Sequence, residues 1–519
     1  MTENETALVE ALTKAVTLHG EGRVAEAEAA YQAVLDIDPD QPDALNRLGF
    51  MAFEQGNSEK AVYLISRSIA VNPENPAYHV NMGIIQKKLQ RLPEALECFQ
   101  NAMALRPEDP SNPCHVAETL RLQEKYPEAE VFYRQAIEIK PDFFSAIHNL
   151  GVVLEEQGRT EEAEASYRRV LEGGGEAAPV LYNLGNVLKD QHRADEAIAA
   201  YKRAVELQPD FAEARVHMAF ARFLKGDYAA GWDDYEWRWK IPAFTSPPRA
   251  FDQPAWDGTP LEGRKILLHA EQGFGDTLQF ARYARVVSGM GGKVILECQP
   301  ALKRLMETLS ETEEVVANGD ALPAFDCHAP LLSVPGLMGA TLETIPADVP
   351  YLAAEKELAD KWAGRFSSFK GIKIGIAWQG TAEKRGTQSR ACPLSQFQPL
   401  FDNPDIELFS LQKEIPSEDR PLPDGVADLS PELNDFADTA AIMSSLDLII
   451  SIDTAIAHLA GALGLPTGLL LSTGGDWRWL MERLDSPWYP TIKIFRQPRE
   501  GDWGGIFDQI SADAANWPG

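Results

Sequence analysis

Two short loops in the second half of this 519-residue chain hold residue types that can do chemistry together. The first, His269-Ala270-Glu271-Gln272-Gly273-Phe274-Gly275-Asp276-Thr277, joins an apolar run to an evident helix. Gly273 and Gly275 allow tight backbone approach, and Asp276 stands at the helix start. A carboxylate there serves as an N-cap or as a general base, and Glu271 in the same loop is a rival base. The second loop, Ser451-Ile452-Asp453-Thr454-Ala455-Ile456-Ala457-His458-Leu459-Ala460, runs from an apolar stretch into a small-residue helix. Backbone amides at such a start favour an anion such as a diphosphate, and His458 lies one turn in, at the same end. Asp453 also reads as a simple cap, and His458 as a core histidine.

Elements that would position these loops are legible in the flanking pattern. Apolar runs at Ile266-Leu267-Leu268, Val294-Ile295-Leu296, Ile372 to Trp378, Leu408 to Leu411, Leu448 to Ile452 and Leu469-Leu470-Leu471 alternate with helical stretches. This alternation predicts α/β structure with parallel strands. Pro346 and Pro350, then the polar segment Glu355 to Lys370, divide the runs into two groups. Residues 263–365 and 366–498 are therefore expected to form two Rossmann-like lobes, with ligands bound in the cleft outside the carboxyl ends of the strands. Asp435, Asp438 and Thr439 precede a late strand and read either as a helix start facing the ligand or as an exposed cap. Trp477, Arg478 and Trp479, after Gly474 and Gly475, either line the cleft or pack between lobes. Residues 499–519 remain as a C-terminal segment.

The first half has a different grammar. Proline recurs at Pro39, Pro73, Pro107 and Pro141 in steps of 34, then at Pro209, with Gly175 at the skipped position. Gly49, Gly83, Ala117, Gly151, Gly185 and Ala219 keep that step, and so do Ala27, Ala61, Ala95, Ala129, Ala163, Ala197 and Gly231. Four residues after most of the second series stands an aromatic: Tyr31, Phe99, Tyr133, Tyr167, Tyr201 and Tyr235, with Ile65 the exception. Two short helices per repeat that approach closely need a small residue on each and a large ring beside them. The pattern resembles the tetratricopeptide repeat over about residues 8 to 240, and implies an α-solenoid whose concave wall is built from the first helix of each repeat. Two residues before the small position stand Arg47, Asn81, His115, Asn149, Asn183 and His217, all able to hydrogen-bond. Asn81, Asn149 and Asn183 resemble rungs of the asparagine ladder by which the repeats of O-GlcNAc transferases grip an extended peptide. Asparagine before Leu-Gly is also common in these repeats whatever they bind. Trp232, Trp237 and Trp239 cluster with Tyr235 ahead of the proline-rich stretch 241–262, which reads as a linker and cap.

Composition narrows the function classes. With 78 acidic and 48 basic side chains the net charge is −30, which repels phosphate backbones and anionic lipid surfaces. Nucleic-acid binding by a basic face is excluded as the main function. The five cysteines, Cys98, Cys114, Cys298, Cys327 and Cys392, are scattered and never spaced C-x-x-C, which fits a reducing compartment. An acidic start and the lack of any run of 18 apolar residues predict a cytoplasmic, bacterial-type protein with no membrane insertion.

Gly275-Asp276 after the first strand and Asp453-Thr454-x-x-x-His458-Leu459-Ala460 after a late strand resemble the heptosyltransferase-like family of GT-B glycosyltransferases. The resemblance covers about residues 260 to 500. The phrases Glu271 to Arg282, Asp447 to Leu463, and Asp485 to Pro490 with Phe495-Arg496-Gln497 resemble bacterial proteins that fuse this module to tetratricopeptide repeats, flagellin glycosyltransferases among them. By that resemblance the first lobe is the acceptor side, the second the nucleotide-sugar side, and Asp276 the general base. Asp453, Thr454 and His458 then hold the donor diphosphate, and Arg390 neutralises it. Gly275, Lys384, Asp438, Thr439 and Ala455 complete the donor set, and Asn81, His115, Asn149, Asn183 and His217 the acceptor set. Ala455 departs from the usual glycine, and the first lobe is shorter than the family's, which leaves the sugar and the acceptor open. The implied function is transfer of a sugar from a nucleotide sugar to a polypeptide, flagellin-like, selected by the repeats, with inversion and without a metal or other cofactor. A lipid or polysaccharide acceptor, or a scaffold whose transferase module is inactive, are the alternatives.

Overall fold

A computed structural model describes residues 3–380, 391–473, 475–499 and 501–513. The chain separates into two compact units, Met1–Val187 and Leu188–Gly519. The boundary expected at residue 240 thus falls inside the second unit. Among the described residues no helix is long and apolar enough to cross a membrane.

The first unit is a run of paired helices beginning at Glu3–Gly20 and Val24–Ile37. The proline period marks helix ends: Val24–Ile37, Ser58–Val71, Leu92–Leu105 and Tyr126–Ile139 each stop two residues before Pro39, Pro73, Pro107 and Pro141. Proline cannot continue the helix and forces the residue before it out of the helical region. The small-residue series does the packing expected of it. Ala27, Ala61, Ala95, Ala129 and Ala163 are fully buried, as are the rings of Phe99, Tyr133 and Tyr167. A Cβ added at Gly83 would stand 2.6 Å from the Phe99 ring, and one at Gly151 would stand 2.6 Å from Tyr167. Glycine is therefore the only residue that admits the aromatic at those two positions. Each buried ring contributes roughly 1.5–3 kcal/mol of burial free energy, which holds helices that would be too short to form alone.

The second unit starts with the last helices of the repeat array and continues into two parallel sheets. Strands β1 (Lys265–His269), β2 (Lys293–Cys298), β3 (Thr312–Ala317) and β4 (Cys327–Pro330) form the first, in the order β3-β2-β1-β4. Strands β5 (Ile372–Ala377), β6 (Ile406–Ser410), β7 (Val426–Asp428), β8 (Leu448–Ile452), β9 (Thr467–Leu471) and β10 (Ile492–Arg496) form the second, in the order β10-β9-β8-β5-β6-β7. All neighbouring strand pairs are parallel, and the strands are apolar runs buried on both faces, as helices on either side require. The layout is α followed by α/β.

Three segments differ from their expected places. The expected aromatic cap is a hub instead of a lid: Phe223 and Tyr228 pack on Trp477 at 4.8 and 5.9 Å, the Trp232 indole donates to the Ala340 carbonyl, and the Trp488 indole donates to Tyr228. The last helices of the array thereby share one apolar core with both sheets. Helix Lys356–Phe366, expected to close the first lobe at residue 365, packs on the second sheet, with Phe366 at 4.7 Å from Phe409. The segment after residue 498 carries helix Gly504–Asp513, whose Ile506, Phe507 and Ile510 enter the core of the second sheet.

Candidate functional site

The two chemically interesting loops occupy equivalent places, each leaving the carboxyl end of a parallel strand and entering a helix. The first follows β1 into helix Phe274–Phe280, and the second follows β8 into helix Ala455–Ala462. They meet. A Cβ on Gly275 would stand 2.8 Å from Cδ2 of His458, so only a bare Cα at position 275 lets the imidazole lie against that helix.

Asp276 sits at the third position of its helix and not at the cap, which is Gly273. Its Oδ2 accepts from the Gly273 N–H at 2.9 Å, closing the helix start from behind. Its Oδ1 accepts from Arg478, whose other donors reach Asp476 at 2.8 Å and Gln279 at 2.7 Å. Burial pushes the Asp276 carboxyl up from its ordinary value, while Arg478 and the Gly273 amide pull it back down. Sequence reasoning weighed Trp477 and Trp479 here for their indoles. The structure makes Arg478, bracketed by them, the residue that touches the carboxylate. A cation flanked by two indoles is the signal that could have found it, since such a side chain is either buried or stacked.

His458 is 5% exposed. Its Nδ1 is 3.0 Å from the Tyr489 hydroxyl, its Nε2 is 3.9 Å from Oδ1 of Asp453, and its ring stacks on Trp479 at 5.2 Å. Thr454 is the N-cap residue, with no side-chain cap bond of its own, and its hydroxyl lies 3.2 Å from that of Ser451. Thr454, and not Asp453, therefore begins the helix, and Ala455 is its first residue. Gly380, at the end of the loop after β5, approaches Thr454, since a Cβ there would stand 3.5 Å from the threonine methyl. Lys384 and Arg390 lie beyond it, outside the described residues.

Three expected site residues have other work. Glu271 is corrected from rival base to structural anion: both its oxygens accept from Arg238, at 3.0 and 2.8 Å, and both side chains are 1% exposed. Arg238 also donates to Ser333 at 2.7 Å, so the pair is satisfied and sealed. Asp438 is corrected from donor ligand to clasp. Arg304, which follows β2, reaches Asp435 at 2.8 Å and Asp438 at 3.4 Å, while Asn434 donates to Asp438 at 2.9 Å. Thr439 is buried with its hydroxyl turned back on the Asp435 carbonyl, as an ordinary helix threonine. Nearby, Phe274 of the first loop meets Phe436 at 5.1 Å.

The expected acceptor residues are partly committed to one another. In the first unit Asn81 donates to Asn46 at 3.1 Å, and Asn183 pairs with His148 at 3.0 Å. His115 stacks on Phe99 at 4.9 Å, and Asn149 is half-buried beside His148. A hollow of about 190 Å³ opens beside Asn81, lined also by Pro76, Val80, Arg106, Asp109 and Asn112. His217 lies in the second unit among Tyr201 and Phe220, where burial pushes its imidazole down to about 3. It is neutral and belongs to the packing.

Fold and site together define a chain that carries tetratricopeptide repeats ahead of a region with parallel sheets. Models of the tetratricopeptide repeat match residues 18–81, 117–158, 144–176 and 178–211. Protein FlbA of Caulobacter vibrioides is 26% identical over 333 residues, which is 58% of this chain. The chain spans about half the length of that curated relative, 54%. Among solved structures, Pseudomonas aeruginosa PilF is 18% identical with a TM-score of 0.38, over 41% of this chain and 97% of that one. A MamA fragment from Desulfovibrio magneticus is 19% identical with a TM-score of 0.30, over 31% of this chain and 91% of that one.

Proposed function

We propose that this protein is a GT-B glycosyltransferase that moves a sugar from a nucleotide-sugar donor to a polypeptide bound by its repeats, with flagellin the model acceptor. The observation that carries the reading is the contact of Gly275 with His458. It sets a partly desolvated carboxylate and an uncapped helix start side by side, each at the carboxyl end of its own parallel sheet. That is where open α/β sheets bind ligands.

In this scheme Asp276 takes the proton of an acceptor hydroxyl as its oxygen attacks the anomeric carbon. The bond from that carbon to the diphosphate oxygen breaks in the same step, with inversion. Arg478 and the Gly273 amide each occupy one lone pair of the carboxylate, which fixes its orientation and leaves further lone pairs for the acceptor. Burial raises its basicity toward working pH, and Arg478 keeps it ionised. Charge gathers on the departing diphosphate, and the amides after Thr454, the His458 edge and Arg390 are the groups that would stabilise it. Tetratricopeptide arrays bind peptide or protein partners, and the ladder of Asn46 with Asn81 and of His148 with Asn183 supports a polar wall for an extended chain.

Incubation of the protein with flagellin and a panel of nucleotide sugars, read by intact mass, tests the reading. A mass gain of one glycosyl unit on the polypeptide is expected. A gain confined to a glycolipid added in parallel would move the acceptor to a lipid, and donor binding with no product on any acceptor would leave a scaffold.

A further inference from the structure

We propose that Tyr489 is a positioning residue that donates its phenolic proton to Nδ1 of His458, fixing the imidazole as the neutral tautomer with its proton on Nε2. The purpose of that tautomer rests on the diphosphate reading above, whereas the tautomer itself follows from the surroundings of the two rings.

Tyr489 is fully buried, with its hydroxyl 3.0 Å from Nδ1 of His458. On the far side of its ring lies Arg282, itself 2% exposed, with the guanidinium 4.4 Å from the ring centroid. Arginine has only donors to offer, so it cannot accept the phenolic proton. Arg282 spends those donors on the carbonyls of Gln279, Pro346 and Trp488, at 2.8, 3.1 and 2.6 Å, and on the Tyr351 hydroxyl at 3.0 Å. Tyr351 in turn donates to the Leu278 carbonyl at 2.8 Å. The chain of donors runs one way, and the acceptor left for Tyr489 is Nδ1 of His458. Burial holds the phenol well above its ordinary titration range, so it stays a donor.

The other edge of the imidazole agrees. Nε2 stands 3.9 Å from the Asp453 carboxylate, where a proton is attracted and a lone pair is repelled. The Trp479 stack, tilted by 25°, prevents the ring from turning over. Gly461, one turn beyond His458, makes the arrangement sterically possible, because a Cβ there would lie 2.3 Å from the Tyr489 ring. The result is an N–H donor, not a bare nitrogen, aimed at the loop between Asp453 and Gly275. An anionic oxygen is the ligand chemistry that such a donor recognises.

Long-range proton–nitrogen spectra of the full chain with labelled imidazoles test this, with His458 assigned by the signals lost in His458→Gln. The wild type should show a bare Nδ1 and a protonated Nε2. Tyr489→Phe keeps the ring and removes the donor, and should shift the His458 nitrogens toward the averaged values of exchanging tautomers. Gly461→Ala, which displaces the phenol, should shift them the same way. A wild-type spectrum with the proton on Nδ1, or a folded Tyr489→Phe with unchanged nitrogens, would overturn the proposal. If Tyr489→Phe does not fold, the wild-type spectrum alone decides. No nucleotide is needed, so the outcomes separate: an Nε2-protonated His458 that no nucleoside diphosphate perturbs keeps the tautomer and rejects the cradle.

Discussion

Asp276→Ala should lower turnover by at least ~10²-fold, the loss typical of removing a general base, while donor affinity stays within a small factor. The carboxylate contacts Arg478 and the Gly273 amide in the free protein, so its removal frees a cation at the acceptor side and leaves the Thr454 helix start untouched. Binding and chemistry should therefore separate, with kcat falling and donor binding by calorimetry unchanged. A pH dependence accompanies this. Burial raises the Asp276 pKa above the ordinary aspartate value, and the base form is the active one. Activity should accordingly fall with acidification along a limb that lies above that value, and the limb should vanish in the alanine variant. Equal turnover in wild type and variant would remove Asp276 from the chemistry.

Arg238→Met should destabilise the second unit by about 3–5 kcal/mol, because it strands the Glu271 carboxylate in an interior where both partners are 1% exposed. Adding Glu271→Leu to that variant should recover most of the loss, since an apolar pair of similar volume needs no counter-charge. Urea denaturation of the three variants checks both statements. A single variant within 1 kcal/mol of wild type would mean that the pair is hydrated and that Glu271 is again a candidate base, on the scale of ordinary surface substitutions.

What the sequence made legible and what it hid divide along physical lines. The 34-residue step survives because steric demands repeat: Gly83 and Gly151 are small for the same reason, an aromatic ring 2.6 Å from where a Cβ would be. Parallel strands were legible because burial on both faces leaves only apolar residues in β1, β5, β8 and β9. The loops after β1 and β8 were legible for their glycines, carboxylates and histidine. Their partners were not, because Arg478 and Tyr489 lie some 200 and 30 residues from Asp276 and His458, and nothing local requires them to meet. Glu271 shows the converse error. A carboxylate five residues before Asp276 looks like a base until a buried arginine from the end of the repeat array claims both oxygens. Thr439 and His217 failed likewise, since a polar residue on a helix is more cheaply satisfied by its own backbone or by neighbouring rings than by a ligand.

Melting temperature against a panel of nucleotide sugars and their nucleoside diphosphates tests the confrontation of carboxylate and diphosphate cradle most directly, since a ligand of the folded state stabilises it by about 2.7 kcal/mol at one hundred times its Kd. One nucleotide sugar should raise the melting temperature of the wild type and of Asp276→Ala alike, while His458→Gln loses the shift. A flat response to every nucleotide in the wild type, with the fold intact, would contradict the assignment.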